Sequence, residues 1–171
     1  MGCGVEARSK ANKNLATFDL SLLRFSKIII CTDADVDGFQ IRTLILAMLY
    51  RLTPTLIEKG YVYIAETPLY EITTKTDTYF AYNDREKTQI LETVGAQKYT
   101  IQRSKGLGEN EPEMMSLTTM NPATRRLVKV NPSAVEETAQ MFDVLRGYDL
   151  DGRKQIIAEH GAEYLDMLDL E

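Results

Sequence analysis

The stretch Lys27–Arg42, KIIICTDADVDGFQIR, constrains this chain more than any other. Three consecutive isoleucines favour a buried strand. Directly after them Asp33, Asp35 and Asp37 fall at alternate positions, and Gly38 lets the backbone turn. From Phe39 the apolar residues recur with helical spacing. Carboxylates at the C-terminal tip of a strand, just ahead of a helix, lie where open α/β sheets hold ligands. Acidic groups this close repel one another unless a cation or a basic neighbour compensates. Their all-oxygen chemistry favours a hard ion such as Mg²⁺ over zinc. The plain alternative is a solvated acidic turn.

The run Asp33-x-Asp35-x-Asp37-Gly38 also matches the first half of a calcium-binding EF-hand loop. That loop closes with a Glu at its twelfth position, and here the corresponding residue is Leu44. An EF-hand also needs a helix ahead of the loop, where this sequence reads as a strand. The EF-hand is rejected.

The order of elements is that of an α/β chain. Ile28–Thr32 is the expected central strand. The following helix places Ile41, Leu44, Ile45, Met48, Leu49 and Leu52 on one face expected to be buried. Pro54 should interrupt that helix near Thr53, and Gly60 should stop its continuation. Tyr61–Ala65 reads as a second strand, parallel to the first. Leu69–Thr74 and Thr78–Tyr82 form a hairpin around polar Lys75-Thr76-Asp77. A helix over Asp84–Thr93 ends at Gly95, and Tyr99–Arg103 is another strand. Asn110 is placed to cap a short helix containing Pro112 and Glu113. Leu127–Val130 is a short strand. Two further helices are expected, one from a capping box at Ser133 to Gly147 and one over Gly152–His160.

Composition sets the outer limits. A chain of 171 residues can bury a sizeable core. No apolar run approaches a membrane span, and the opening MGCGVEARSKANKN offers no secretory signal. Cys3 and Cys31 imply no disulfide framework, and Cys31 reads as a small core residue. Together these give a cytoplasmic setting as the expectation. The net charge of −5 opposes a general nucleic-acid-binding surface, although local patches decide contacts. His160, the single histidine, sits near a helix end and reads as structural. Residues 1–17 read as a loosely held polar leader.

A second motif is Arg103-Ser104-Lys105-Gly106-Leu107-Gly108-Glu109. Gly106 and Gly108 let the main chain approach a ligand closely, and Arg103 and Lys105 supply charge suited to phosphate oxygens. Taken in isolation, a Gly-x-Gly pair is a weak signal, and an exposed turn with incidental basic residues is the better reading.

The ordered set of motifs resembles the Toprim-bearing B subunits of bacterial type IIA DNA topoisomerases, the gyrase and topoisomerase IV branches together. The shared pieces are Phe18-Asp19-Leu20-Ser21, the acidic strand Ile28–Arg42, Pro68-Leu69-Tyr70, Lys105–Glu109, and Thr118–Arg126 (TTMNPATRR). The resemblance runs from about Phe18 to the C-terminus. It implies a partial Toprim fold, a Rossmann-like parallel α/β sheet, with an appended α+β C-terminal tail. In domain terms this gives a leader over 1–17, an α/β core with its following strands over 18–103, and a glycine loop with helical tail over 104–171.

The resemblance implies Mg²⁺ bound by Asp33, Asp35 and Asp37, and DNA contacted by Arg103, Lys105, Gly106 and Gly108. It further implies ATP held in another region of the full-length protein, outside this chain, and a heterotetramer with an A subunit that carries the nucleophilic tyrosine. None of the nine tyrosines here need be catalytic. The family's upstream Glu motif is absent from this sequence. The chain therefore reads as part of a longer protein, inactive by itself and prone to self-association through an exposed edge or apolar surface. Phe39-Gln40 replaces the family's small residue and His, and Ser104 replaces a common aromatic. Two alternatives stay open: a degenerate, non-catalytic DNA-binding or scaffold domain, and a Mg²⁺-dependent phosphotransferase with an Asp nucleophile.

Overall fold

The protein is described by a computed structural model over residues 1–6, 15–104, 106–131, 141, 144–145, 147 and 149–163. The expected strand, helix, strand order opens the fold. Strand β1 spans Ile28–Ile30, helix α1 Val36–Leu52, helix α2 Pro54–Glu58 and strand β2 Val62–Ala65. Thr53, almost fully buried, ends α1 by returning its N–H to the Leu49 carbonyl at 2.8 Å. Pro54 then opens α2 at a position that needs no donor. Gly60, at φ +75°, reverses the chain into β2. Strands β1 and β2 pair in parallel, Ile28 to Val62 through Ile30 to Ile64.

Two units divide the chain. One comprises Phe25–Ile45 and Val62–Lys129, the other Met1–Arg24, Leu46–Tyr61 and Val130–Glu171. The first contains two three-stranded sheets. In one, β2 lies between β1 and the short strand β6 (Leu127–Lys129), which runs antiparallel to it. In the other, β3 (Tyr70–Thr73) lies between β4 (Thr78–Ala81) and β5 (Thr100–Arg103), antiparallel to both. Helix α3 (Asp84–Val94) follows β4. Asn83 caps its start by accepting the Glu86 N–H at 2.8 Å, and Gly95 ends it at φ +60°. Ile30, Val62, Ala65, Ile72 and Ala81 are buried in this unit, Val62 completely. Each larger aliphatic side chain among them contributes roughly 1.5–3 kcal/mol when fully buried.

The second unit holds the described parts of the expected leader, residues 1–6 and 15–17, through specific contacts. Cys3 is buried, and Val5 bridges Thr17. The Glu6 carboxylate accepts both the Thr55 N–H (3.0 Å) and the Thr55 hydroxyl (2.9 Å), capping α2 from outside the helix. A composition rich in Lys, Asn and Ser hides this, because the contact rests on a single acceptor, Glu6. Leu49, Leu56 and Ile57 are the buried apolar side chains of α1 and α2 here. The last described helix, α5 (Leu150–His160), is capped by Asp149. The helix expected from Ser133 to Gly147 lies largely outside the described residues.

Two expectations are corrected. Helix α1 does not bury its whole apolar face, since Ile41, Leu44 and Met48 are 50%, 43% and 49% exposed. Helical spacing marks a face able to be buried, and what lies opposite decides whether it is. Strand β1 is likewise an edge strand among the described residues. Asn110 does not cap the short helix α4 (Pro112–Met115). Glu111 takes that position, and the Asn110 side chain instead meets the Ser104 hydroxyl and the Met115 sulfur.

The turn from β1 into α1 depends on an absent side chain. A Cβ on Gly38 would lie 2.1 Å from the Asp33 carbonyl oxygen, and that neighbour is backbone, which cannot swing aside. A Cβ on Gly108 would meet nothing within 4 Å. Gly38→Ala is therefore expected to cost at least about 1–3 kcal/mol in urea unfolding, and Gly108→Ala at most roughly 0.5 kcal/mol. The exposure pattern of α1 makes a parallel prediction. Leu49→Ala should cost about 2–5 kcal/mol while Leu44→Ala stays within about 1 kcal/mol; equal losses would refute this packing.

Candidate metal and nucleic-acid site

The site begins where the two parallel strands end. After β1 the chain runs through Cys31 and the buried Thr32 to Asp33. The Thr32 carbonyl accepts from the Thr67 hydroxyl at 3.5 Å, which joins the exits of β1 and β2. The Thr32 hydroxyl accepts from Arg42 Nη2 at 3.3 Å, so α1 holds the same tip from its other side. The Arg42 guanidinium lies 5.1 Å from the centre of the Phe39 ring. Its Nε is buried with no acceptor among the described residues, and burial lowers its pKa. Burial, and then the neighbouring Asp33, push the Cys31 thiol pKa up.

The three aspartates have different surroundings. Asp35 precedes α1 and caps it, its Oδ1 accepting the Gly38 N–H at 2.7 Å. Asp33 Oδ1 accepts the backbone N–H of Leu107 at 2.6 Å. Asp37 lies in the first turn of α1 and is exposed. Among the described residues these bonds use one oxygen, Oδ1, of Asp33 and of Asp35. Among the described residues no three acidic, histidine or cysteine side chains converge as a metal cage. Carboxylate oxygens are the donors a hard ion such as Mg²⁺ takes, and that ion keeps water where the protein supplies no ligand.

The glycine motif folds against this turn. Ser104 N–H donates to the Leu69 carbonyl at 2.9 Å as the chain leaves β5. Leu107–Glu109 then form one 3₁₀ turn. Gly106 faces Asp33, where an added Cβ would sit 3.8 Å from the carboxylate. Arg103, at the exposed end of β5, lies close enough to Asp84 to help lower its pKa, after the larger contributions of Lys87 and Tyr70. Lys105 lies outside the described residues. Gln40, in place of the family's His, is exposed on α1.

Some contributors give little sign of themselves in the sequence. Thr32, Thr67 and Arg42 fasten the strand tips, and only Thr32 and Arg42 stand inside a motif. Leu107 acts through its backbone, so its side-chain identity carries no signal beyond the flanking glycines. Arg126, inside the TTMNPATRR segment, pairs with Glu86 at 2.8 Å and stacks 3.9 Å from the Tyr82 ring centre. His160 is remote from these residues in sequence and meets Glu163 at 3.2 Å. A groove of about 500 Å³ lined by Tyr79, Phe80, Glu86, Ile90 and Arg126 includes none of the aspartates.

Comparison with known proteins agrees with the motif reading. The family model described as the Toprim domain matches residues 3–67, opening ahead of Phe18. The model described as DNA gyrase B subunit, carboxyl terminus, matches residues 96–158. The chain is similar to the DNA gyrase B subunit of Clostridium acetobutylicum, 47% identical over 88% of this chain and 24% of the relative. The corresponding protein of Thermotoga maritima is 43% identical over 88% of this chain and 24% of the relative. That of Archaeoglobus fulgidus is 44% identical over 85% of this chain and 23% of the relative. The chain thus spans about a quarter of the length of the curated relatives it matches. With a Toprim domain, a following gyrase B carboxyl-terminal region and this level of identity, the chain belongs to the Toprim-containing B-subunit family of type IIA DNA topoisomerases.

Proposed function

We propose that this chain supplies the metal-binding and DNA-contacting part of the B subunit of an ATP-dependent type II DNA topoisomerase. The observation that carries the reading is the bond from Leu107 N–H to Asp33, which sets the glycine loop against the aspartate turn. Asp33 and Asp35 would hold Mg²⁺ through their second oxygens. Asp37, exposed in the next turn, would act on such an ion through water. When bound, Mg²⁺ supplies charge stabilisation at the transferring phosphate and the leaving 3′ oxygen. Arg103 and Lys105 would contact backbone phosphates, and Gly106 and Gly108 would let the main chain come close to them. The nucleophile would be a tyrosine of an A subunit, with ATP held in another region of the full-length protein. Alone, the 171-residue chain would hold Mg²⁺ weakly and leave DNA uncut, because no three carboxylates converge among the described residues.

One observation favours a second reading. The carboxylates do not converge in threes among the described residues, and Asp35 already has a structural task as a helix cap. A non-catalytic scaffold domain would use the turn in that way alone. An aspartyl phosphotransferase would instead leave a trappable phosphoenzyme.

Substitution at the turn separates these readings. In the full-length protein assembled with its A partner, Asp33→Ala is expected to abolish Mg²⁺-dependent DNA cleavage while assembly persists. Asp35→Asn keeps a capping acceptor and should lose cleavage without loss of stability, whereas Asp35→Ala should also cost about 0.5–2 kcal/mol in unfolding. Wild-type cleavage by the Asp35→Asn enzyme at ordinary Mg²⁺ would leave Asp35 as a cap only. For the loop, Lys105→Ala should weaken DNA binding and lower the salt slope by about one phosphate contact. An unchanged slope would make the loop a turn and nothing more.

A further inference from the structure

Leu107 N–H and Asp33 Oδ1 join positions 74 residues apart. On the Asp33 side, the main chain is fixed by its approach to Gly38 and by the Thr67 and Arg42 bonds to Thr32 just before it. On the other side, the loop is tied at Ser104 to the Leu69 carbonyl, and the Asn110 side chain reaches back to the Ser104 hydroxyl. Between these ends the described backbone has one long-range bond, and its acceptor is the Asp33 carboxylate. Gly106 leaves ordinary van der Waals room for that carboxylate, and Gly108 opens onto space. Hydrogen bonds from an amide to an ionised acceptor are shorter and stronger than neutral ones, and this one measures 2.6 Å.

We propose that Asp33 is the positioning residue of the basic glycine loop. Oδ1 seats the loop through the Leu107 amide, and Oδ2 is left for an ion, so one side chain serves both motifs. The role as metal ligand rests on the function proposed above; the role as loop anchor does not.

The test uses the full 171-residue chain in EDTA and reads amide hydrogen exchange at Leu107, with Ile28–Ile30 of β1 as the folding control. Asp33→Asn keeps a carbonyl oxygen that can accept the amide but removes the charge. Asp33→Ala removes the acceptor. With β1 protection unchanged, Leu107 should exchange at least about tenfold faster in Asp33→Ala, in line with loss of a hydrogen bond to a charged group. Asp33→Asn should recover most of that protection. Equal protection in wild type and Asp33→Ala would overturn the proposal, as would an Asn variant as fast as the Ala variant. If Asp33→Ala also loses β1 protection, Asp33→Asn against wild type decides: retained Leu107 protection supports the anchor and its loss overturns it. Mg²⁺ titration of wild type is a separate arm. Absence of any Mg²⁺-dependent shift at Asp33 and Asp35 would count against the metal reading and leave the anchor standing.

Discussion

The contact on which the rest of the site depends is backbone against backbone, where Gly38 passes the carbonyl of Asp33 with no room for a side-chain carbon. That approach lets α1 start immediately after β1. It compresses three acidic residues into the few positions between strand and helix and aims the strand exit at the first turn of the helix. A wider turn would separate Asp33 from Asp35 and would carry Arg42 away from Thr32, since both are reached from the same helix start. Packing here therefore determines where charge is held, and the charges then determine what the neighbouring segments do.

The charge is held chiefly by amide dipoles. Asp35 takes the Gly38 N–H, and as a cap it also benefits from the positive end of a 17-residue helix. Asp33 takes the Leu107 N–H. Donors of this kind are main-chain groups whose positions the fold sets. Arg42 contributes differently. Its guanidinium is half-buried, lies against Phe39 and is committed to Thr32, so it stiffens the strand tip. The Phe39 ring occupies a definite position beside that guanidinium.

Much of the fold was legible because its signals are local. The isoleucine run, Pro54, Gly60, the Lys75–Asp77 turn and Gly95 each place an element boundary through backbone chemistry that a sequence displays directly, and the structure has β1, α2, β2, the β3–β4 hairpin and α3 at those places. What escaped is tertiary. Glu6 caps a helix 49 residues away, and nothing near Glu6 in the chain announces it. Ile41, Leu44 and Met48 have the spacing of a buried face, yet spacing carries no information about the surface opposite. Asn110 has the chemistry of a cap, but the Ser104 hydroxyl competes for its side chain, and Pro112 sets the helix start from Glu111. At the site the acidic turn was visible in one dimension. Its junction with the glycine loop was not, because the donor is a main-chain amide.

Arg126 gives the first unit a mechanical property. Its carbonyl accepts the Glu66 N–H at 3.1 Å, next to β2, while its side chain grips Glu86 on α3 and lies across Tyr82 at the end of β4. One residue thus links the sheet of β1, β2 and β6 to the helix that follows β4. The segment after β2, the first turn of α3 and the residue that closes β4 are tied at one point, through one side chain and its own carbonyl.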